Sequence, residues 1–133
     1  MTDRQHHHDI PQHEPGAKLD KGKVRMDLVL QGFPRALYEV GEIATYGAGK
    51  YTRDGWKSVP DGFNRYTGAL MRHLIMESAG EYQDDESGYT HAAHAAWNAL
   101  ARLELLIIQR DSTNVPVYLT HHNPIPAPGV PNV

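Results

Sequence analysis

The stretch from about Thr90 to Arg110 constrains this chain most. Its alanines, with Trp97, Leu100, Leu103, Leu105, Leu106, Ile107 and Ile108, surround the whole circumference of a 3.6-residue helix. A helix that is apolar on every side belongs in an interior, so other helices or other subunits are expected to pack around it. Within it, His91, His94 and Asn98 fall at i, i+3 and i+7, on one narrow arc. Polar side chains on such a helix are costly unless each finds a partner. Either they hydrogen-bond to neighbouring helices and lock the packing, or they face a polar cavity holding a ligand or a metal-bound water. Spacing alone leaves both readings open.

Two further helices are expected. Pro34 suits a first helical position, where its preset φ helps and its missing N–H costs nothing. The helix it opens reaches about Tyr46, with Gly47 and Gly49 ending it. Residues 50–61 hold Gly55 and Pro60 and read as a loop. The next helix starts near Gly62 and passes through Arg72 and His73 to Gly80, before an acidic, turn-like stretch over 81–88. Residues 18–27 are dense in charge around Gly22 and also read as a loop, while 117–120 are too few to assign. With almost no alternating strand pattern, the expected fold class is all-α, a helical bundle.

The chain has 133 residues, room for one domain. Residues 1–16 and 123–133 offer too little apolar surface to offset the entropy of ordering them, so the expected organisation is a disordered or extended tail, a helical domain over 17–122, and a Pro-rich tail. A core of roughly 100 residues is small enough for partner subunits to help cover it. A homodimer or homotetramer is therefore expected. The absence of cysteine excludes disulfides and thiolate metal sites. No apolar run is long enough for a bilayer and no signal-like stretch opens the chain, so no membrane partner and a cytoplasmic location are expected. A net charge of -3 without a basic cluster argues against a nucleic-acid polymer as partner. A small anion held by a few cations or through a metal is still permitted.

Carboxylates and histidines carry the candidate chemistry. Glu39 and Glu42 stand three apart, opposite the apolar side made by Leu37, Val40, Ile43 and Ala44. His73, Glu77 and Glu81 step by four, and Glu81 with Asp84 forms a second i, i+3 pair beside Asp85 and Glu86. Solvated faces explain such spacings when each is taken alone. Crowded carboxylates, however, are unfavourable unless solvent or a cation neutralises them. Converging pairs from different helices would suit magnesium or manganese bridging substrate phosphates. A three-histidine zinc site of His73, His91 and His94 is the rival.

Lys50 follows a glycine pair and could meet a phosphate, as could Lys18, Lys23, Arg25 and Arg72. Gly47-Ala-Gly49-Lys50 is nonetheless too short for a P-loop. Trp56 could stack on a base or cap a core edge. The only His-Asp doublet, His8-Asp9, lies in the tail, which argues against an HD-type phosphohydrolase; the tract His6 to His8 is assigned no role.

Several blocks carry a resemblance. Tyr38-Glu39-Val-Gly-Glu42-Ile-Ala looks like the glutamate-bearing helix of the MazG-like all-α nucleoside triphosphate pyrophosphohydrolases. Lys18-Leu-Asp20-Lys-Gly22-Lys23, Tyr46-Gly-Ala-Gly-Lys50-Tyr51, Arg72-His73-Leu74, Gly80-Glu81-Tyr-Gln-Asp84-Asp-Glu86-Ser-Gly88 and His91-Ala-Ala-His94-Ala-Ala-Trp-Asn98 resemble the phage-associated dATP/dGTP diphosphohydrolases of that superfamily, the MazZ-like proteins.

The resemblance implies an oligomeric helical bundle that uses a divalent metal, Mg2+ or Mn2+, to release pyrophosphate from a purine deoxynucleoside triphosphate. Some such proteins serve phages that replace adenine with diaminopurine, which would place this chain in the host cytoplasm. On this reading Glu39, Glu42, Glu77, Glu81 and Asp84 hold metal, and Glu39, Glu42, Glu81 and His73 are catalytic. Lys18, Lys23, Lys50, Trp56, Arg72, His91, His94 and Asn98 meet the substrate. One alignment takes Glu81 and Asp84 as the later carboxylate pair. Another sets His91 and His94 there and strengthens Glu77 and Glu81, and the sequence leaves both open. A nucleotide-binding or assembly module with solvated carboxylates, and a zinc hydrolase, are the alternatives from other classes.

Overall fold

The computed structural model describes residues 10–112, so the His6 to His8 tract, segment 117–120 and the Pro-rich stretch 123–133 lie outside the described residues. The chain divides into two compact units, Met1–Gly32 and Phe33–Val133. In the first, turns closed by backbone bonds such as Lys23 N–H to the Asp20 carbonyl (3.0 Å) hold Lys18 and Lys23 exposed. It ends in helix α1, Asp27–Gly32, which has no buried residue. This short helix was not expected, because six residues without a covered face leave no periodic pattern to read. Its start is marked by an Arg25–Asp27 ion pair of 2.7 Å.

The second unit contains α2 (Pro34–Lys50), a 3-10 turn (Gly55–Ser58), α3 (Gly62–Ser78) and α4 (His91–Ser112). Among the described residues there is no strand, only one isolated bridge between Gln83 and Thr90. The fold class is all-α, as the patterning predicts. Helices α3 and α4 form the principal packed pair, and α2 lies on α4. Close approach at the start of α3 favours Gly62, because a Cβ there would stand 3.1 Å from Leu105 Cδ1 and press on that side chain. Arg102 of α4 donates to Thr67 Oγ1 of α3 (2.6 Å) while its guanidinium lies 4.7 Å from the Phe63 ring centre. Trp56, Tyr66 and Trp97 meet edge to face, and the Tyr66 hydroxyl donates to the Trp56 carbonyl (2.7 Å), fastening the 3-10 turn to both helices.

Two expectations change. Helix α2 does not stop at Gly47 but runs through both glycines to Lys50, closed by Tyr51 N–H on the Gly47 carbonyl (2.9 Å). A glycine weakens a helix by about 1 kcal/mol without breaking it. Here Tyr46 packs against Tyr89 (6.0 Å), which holds the last turn in place, and Lys50 pairs with Glu86 at the surface. Helix α4, in turn, is covered on one side only. Ala93, Ala95 and Ala101 are buried with Ile43 of α2, whereas Leu100 and Leu103 each keep 51% of their surface exposed. Its all-round apolar pattern is not satisfied among the described residues.

Candidate active site

The α3–α4 connection is built by two helix ends. At the end of α3, Gly80 takes φ +103° and donates to the Glu77 carbonyl (3.0 Å), while Glu81 N–H reaches the Met76 carbonyl (3.0 Å). This Schellman-type turn needs a residue free to adopt positive φ. It also takes Glu81 off the helix, so the His73–Glu77–Glu81 spacing is not one helical stripe. The chain then folds back on itself, with Asp84 N–H on the Tyr89 carbonyl (2.8 Å) and His91 N–H on the Tyr82 carbonyl (3.1 Å). Within this turn Asp84 Oδ2 accepts from Ser87 N–H (2.9 Å), and Gly88, at φ +75°, donates to the Asp84 carbonyl (2.8 Å). Thr90 Oγ1 accepts from Ala93 N–H (3.0 Å) and caps α4.

The loop delivers Glu81, Asp84 and Ser87 to the histidines of α3 and α4. His91 is 3% exposed, with Nε2 3.1 Å from Glu81 Oε1 and Nδ1 2.9 Å from His73 Nδ1. A carboxylate can only accept, so His91 Nε2 carries a proton, and a single proton is shared between the two Nδ1 atoms. His94 Nε2 stands 2.7 Å from Ser87 Oγ and 3.9 Å from Asp84 Oδ2. The His94 ring stacks on His73, with centroids 4.5 Å apart and planes within 3°. Buried Asn98 donates its amide to the His94 carbonyl (2.8 Å). The polar arc of α4 thus joins both readings of the sequence: Asn98 is satisfied by its own helix, and the two histidines face a polar cluster.

Burial, helped by the neighbouring imidazoles, lowers the pKa of His73. Burial also lowers that of His94, against the opposing pull of Asp84. For Asp84, burial is the largest single influence and acts upward, but hydrogen bonds from Ser87 and the nearby imidazoles outweigh it and hold the carboxyl below its ordinary range. At neutral pH the cluster therefore combines neutral rings at His73 and His94 with an ionised carboxylate. Such a set attracts a cation.

Among the described residues, one constellation brings three metal-ligating groups together: His73, Asp84 and His91, each with a ligand atom within 4.8 Å of the others. Two imidazoles and a carboxylate fit a divalent ion chemically. His94 is a poor third histidine for that ion. Parallel stacked rings cannot both hold one ion in their planes, so Asp84 stands where the three-histidine reading expected His94.

The remaining candidates are dispersed. Asp84 belongs to the constellation, and Glu81 stands one hydrogen bond behind it on His91. Glu42 is half-buried and lines a groove with Tyr38, Thr45 and Tyr89, whereas Glu39 on α2 and Glu77 on the last turn of α3 are exposed. Lys50 closes α2 and hydrogen-bonds Glu86 of the loop, which raises its pKa. Arg72 is exposed and folds back toward Gly68. Trp56 caps a core edge and also walls an apolar groove with Leu37, Val40 and Leu100. Lys18 and Lys23 belong to the first unit. Ser87, Tyr89 and Thr90 carry the loop and were not singled out from the sequence. Their signal was an Asp-x-x-Ser-Gly turn followed by a Thr in a helix N-cap position.

A family model described as dATP/dGTP diphosphohydrolase, N-terminal, matches residues 13–114. The chain belongs to this family. A curated relative, the dATP/dGTP diphosphohydrolase of Salmonella phage PMBT28, is 36% identical over 81 residues, which are 61% of this chain and 26% of the relative. The chain thus spans about a quarter of the length of the relative it matches. No solved structure matches. The α3–α4 cluster and the loop that feeds it lie wholly inside the family domain.

Proposed function

We propose that the chain carries the hydrolytic site of a divalent-metal-dependent dATP/dGTP diphosphohydrolase, releasing pyrophosphate and a purine deoxynucleoside monophosphate. The observation that carries this reading is the His73–Asp84–His91 constellation, backed by Glu81, inside a domain of this family. Magnesium or manganese is the proposed cofactor. When bound, such an ion neutralises phosphate charge and makes a water more acidic.

The chain's own groups supply the rest. His94, kept neutral at pH 7 by burial, can take a proton at Nε2 from the Ser87 hydroxyl 2.7 Å away as that hydroxyl takes one from the attacking water. Asp84 Oδ2, 3.9 Å from that nitrogen, stabilises the imidazolium that results. Lys50 can exchange Glu86 for a phosphate oxygen, and Arg72 is free in solvent to approach the same charge. The groove of Tyr38, Glu42, Thr45 and Tyr89 offers aromatic surface and polar atoms for the purine nucleoside.

The relative's phage origin supports a role in remodelling the nucleotide pool of an infected cell. Removal of dATP and supply of dGMP would favour diaminopurine-containing DNA. The exposed apolar side chains of Leu74 and Ile75 on α3 and Leu100 and Leu103 on α4 support a homodimer or homotetramer. Light scattering at micromolar concentration would show a multiple of 14.9 kDa, and a lone monomer would count against assembly.

The activity is tested by incubating the purified chain with dGTP or dATP and Mg2+ or Mn2+, followed by phosphorus NMR of the products. Pyrophosphate with the monophosphate is expected. Orthophosphate in its place removes the reaction assignment.

A further inference from the structure

We infer that His73, Asp84 and His91 form a transition-metal site that selects manganese, iron or cobalt over magnesium. This rests on reading the cluster as the divalent-ion site of the hydrolase. The donor set is the first argument. Magnesium takes oxygen ligands and gives up its waters reluctantly, whereas imidazole nitrogen suits first-row transition ions. Two of the three groups here are imidazoles.

Geometry is the second argument. The two Nδ1 atoms stand 2.9 Å apart. That contact is a hydrogen bond in the ion-free chain, and with Asp84 it brings three ligand atoms within 4.8 Å of one another, within reach of a single ion. Two histidines and one carboxylate on one face leave the opposite positions open for phosphate oxygens and water.

Preorganisation is the third. Glu81 accepts from His91 Nε2 (3.1 Å), which presents the His91 Nδ1 lone pair toward His73, the carboxylate–histidine support seen behind metal ligands. Ser87 N–H fixes the Asp84 carboxylate (2.9 Å), and His73 is held between the His91 nitrogen and the stacked His94 ring. The proton now shared by the two Nδ1 atoms is carried on His73 Nε2 in the ion-bound form, so no proton is gained or lost at the pair. Exposed Glu39 and Glu77 have no such support among the described residues.

The test uses the full chain, stripped with a chelator and dialysed, without nucleotide. Cobalt(II) is titrated with visible absorption as the readout, and Mn2+ and Mg2+ compete for the site. Saturable visible bands of bound cobalt, and Mn2+ displacing cobalt at least about 100-fold more effectively than Mg2+, are expected. His73→Ala and Asp84→Asn should each weaken cobalt binding by about 10- to 100-fold with the circular dichroism spectrum retained.

Equal competition by Mg2+ overturns the inference, whatever the variants do. So does a Glu39→Gln loss where both cluster variants bind as wild type. Tight Co2+ and Mn2+ binding without dNTP hydrolysis would sink the hydrolase reading and leave the metal site standing. Magnesium-supported hydrolysis that survives His73→Ala would do the reverse.

Discussion

Replacing Glu81 by alanine takes away the acceptor of a buried imidazole N–H. His91 is 3% exposed, and its Nε2 reaches Glu81 Oε1 at 3.1 Å. Water has little access to that nitrogen, so the N–H is left without a partner, at a cost of about 1–3 kcal/mol. The Glu81 side chain is itself 31% exposed and loses little packing, so the lost hydrogen bond dominates. A domain of roughly 60–100 residues shifts its melting temperature by about 4–8 °C per kcal/mol. At a midpoint near 2 kcal/mol, Glu81→Ala should melt about 8–16 °C below wild type.

Glu81→Gln keeps an oxygen acceptor and loses only the charge assistance, about 1 kcal/mol, so it should fall between the two. Its hydrolysis of dGTP should nonetheless drop by about 10- to 100-fold, because the carboxylate orients a ligand. Differential scanning calorimetry of chelator-treated protein near pH 7.5 reads the first effect and steady-state kinetics the second. A Glu81→Ala protein melting within about 2 °C of wild type would refute the argument, since His91 would then have another acceptor.

Acid should weaken the metal-free protein. The folded pKa values of His73 and His94 lie below the ordinary histidine value of 6.5, so the unfolded chain binds protons first. Stability is then full above that value and lost as pH falls through the folded ones; Asp84, also lowered, adds a second loss below 3.8. Urea midpoints at about pH 5 and pH 8 check this, and His94→Gln should flatten the dependence. Thr90→Ala removes the α4 cap and should cost about 1 kcal/mol in urea unfolding. Gly80→Ala puts a Cβ at φ +103° and should cost about 1–2 kcal/mol, with dGTP hydrolysis reduced because Glu81 follows directly. Lys50→Ala breaks only an exposed pair, so melting should hardly change while KM for dGTP rises several-fold; an unchanged KM would remove Lys50 from phosphate binding.

The sequence exposes most of the helical frame for reasons that are local. Gly62 and Thr90 mark the starts of α3 and α4 to within a residue, because backbone approach and capping are written in single side chains. Pro34 does the same for α2. Helix α2 runs past Gly47 and Gly49 because the cost of these helix-weakening residues is offset by a contact far along the chain, Tyr46 with Tyr89.

At the site, the arc of His91, His94 and Asn98 is legible from periodicity, but its partner arrangement is not. Spacing by four suggested that Glu81 continues the stripe of His73 and Glu77, whereas the turn at Gly80 swings it onto His91 instead. Which histidines can share an ion depends on ring planes, and no linear pattern encodes the His73–His94 stack.

The segment between α3 and α4 is anchored on both sides by helix termini, at Gly80 on the last carbonyls of α3 and at Thr90 on the first amides of α4. The span between its carboxylates and the imidazoles is therefore governed by the angle at which these two helices cross. Gly62 against Leu105 and Thr67 against Arg102 join the same two helices toward their other ends. Volume changes there can retune the cluster while every polar group in it stays as it is.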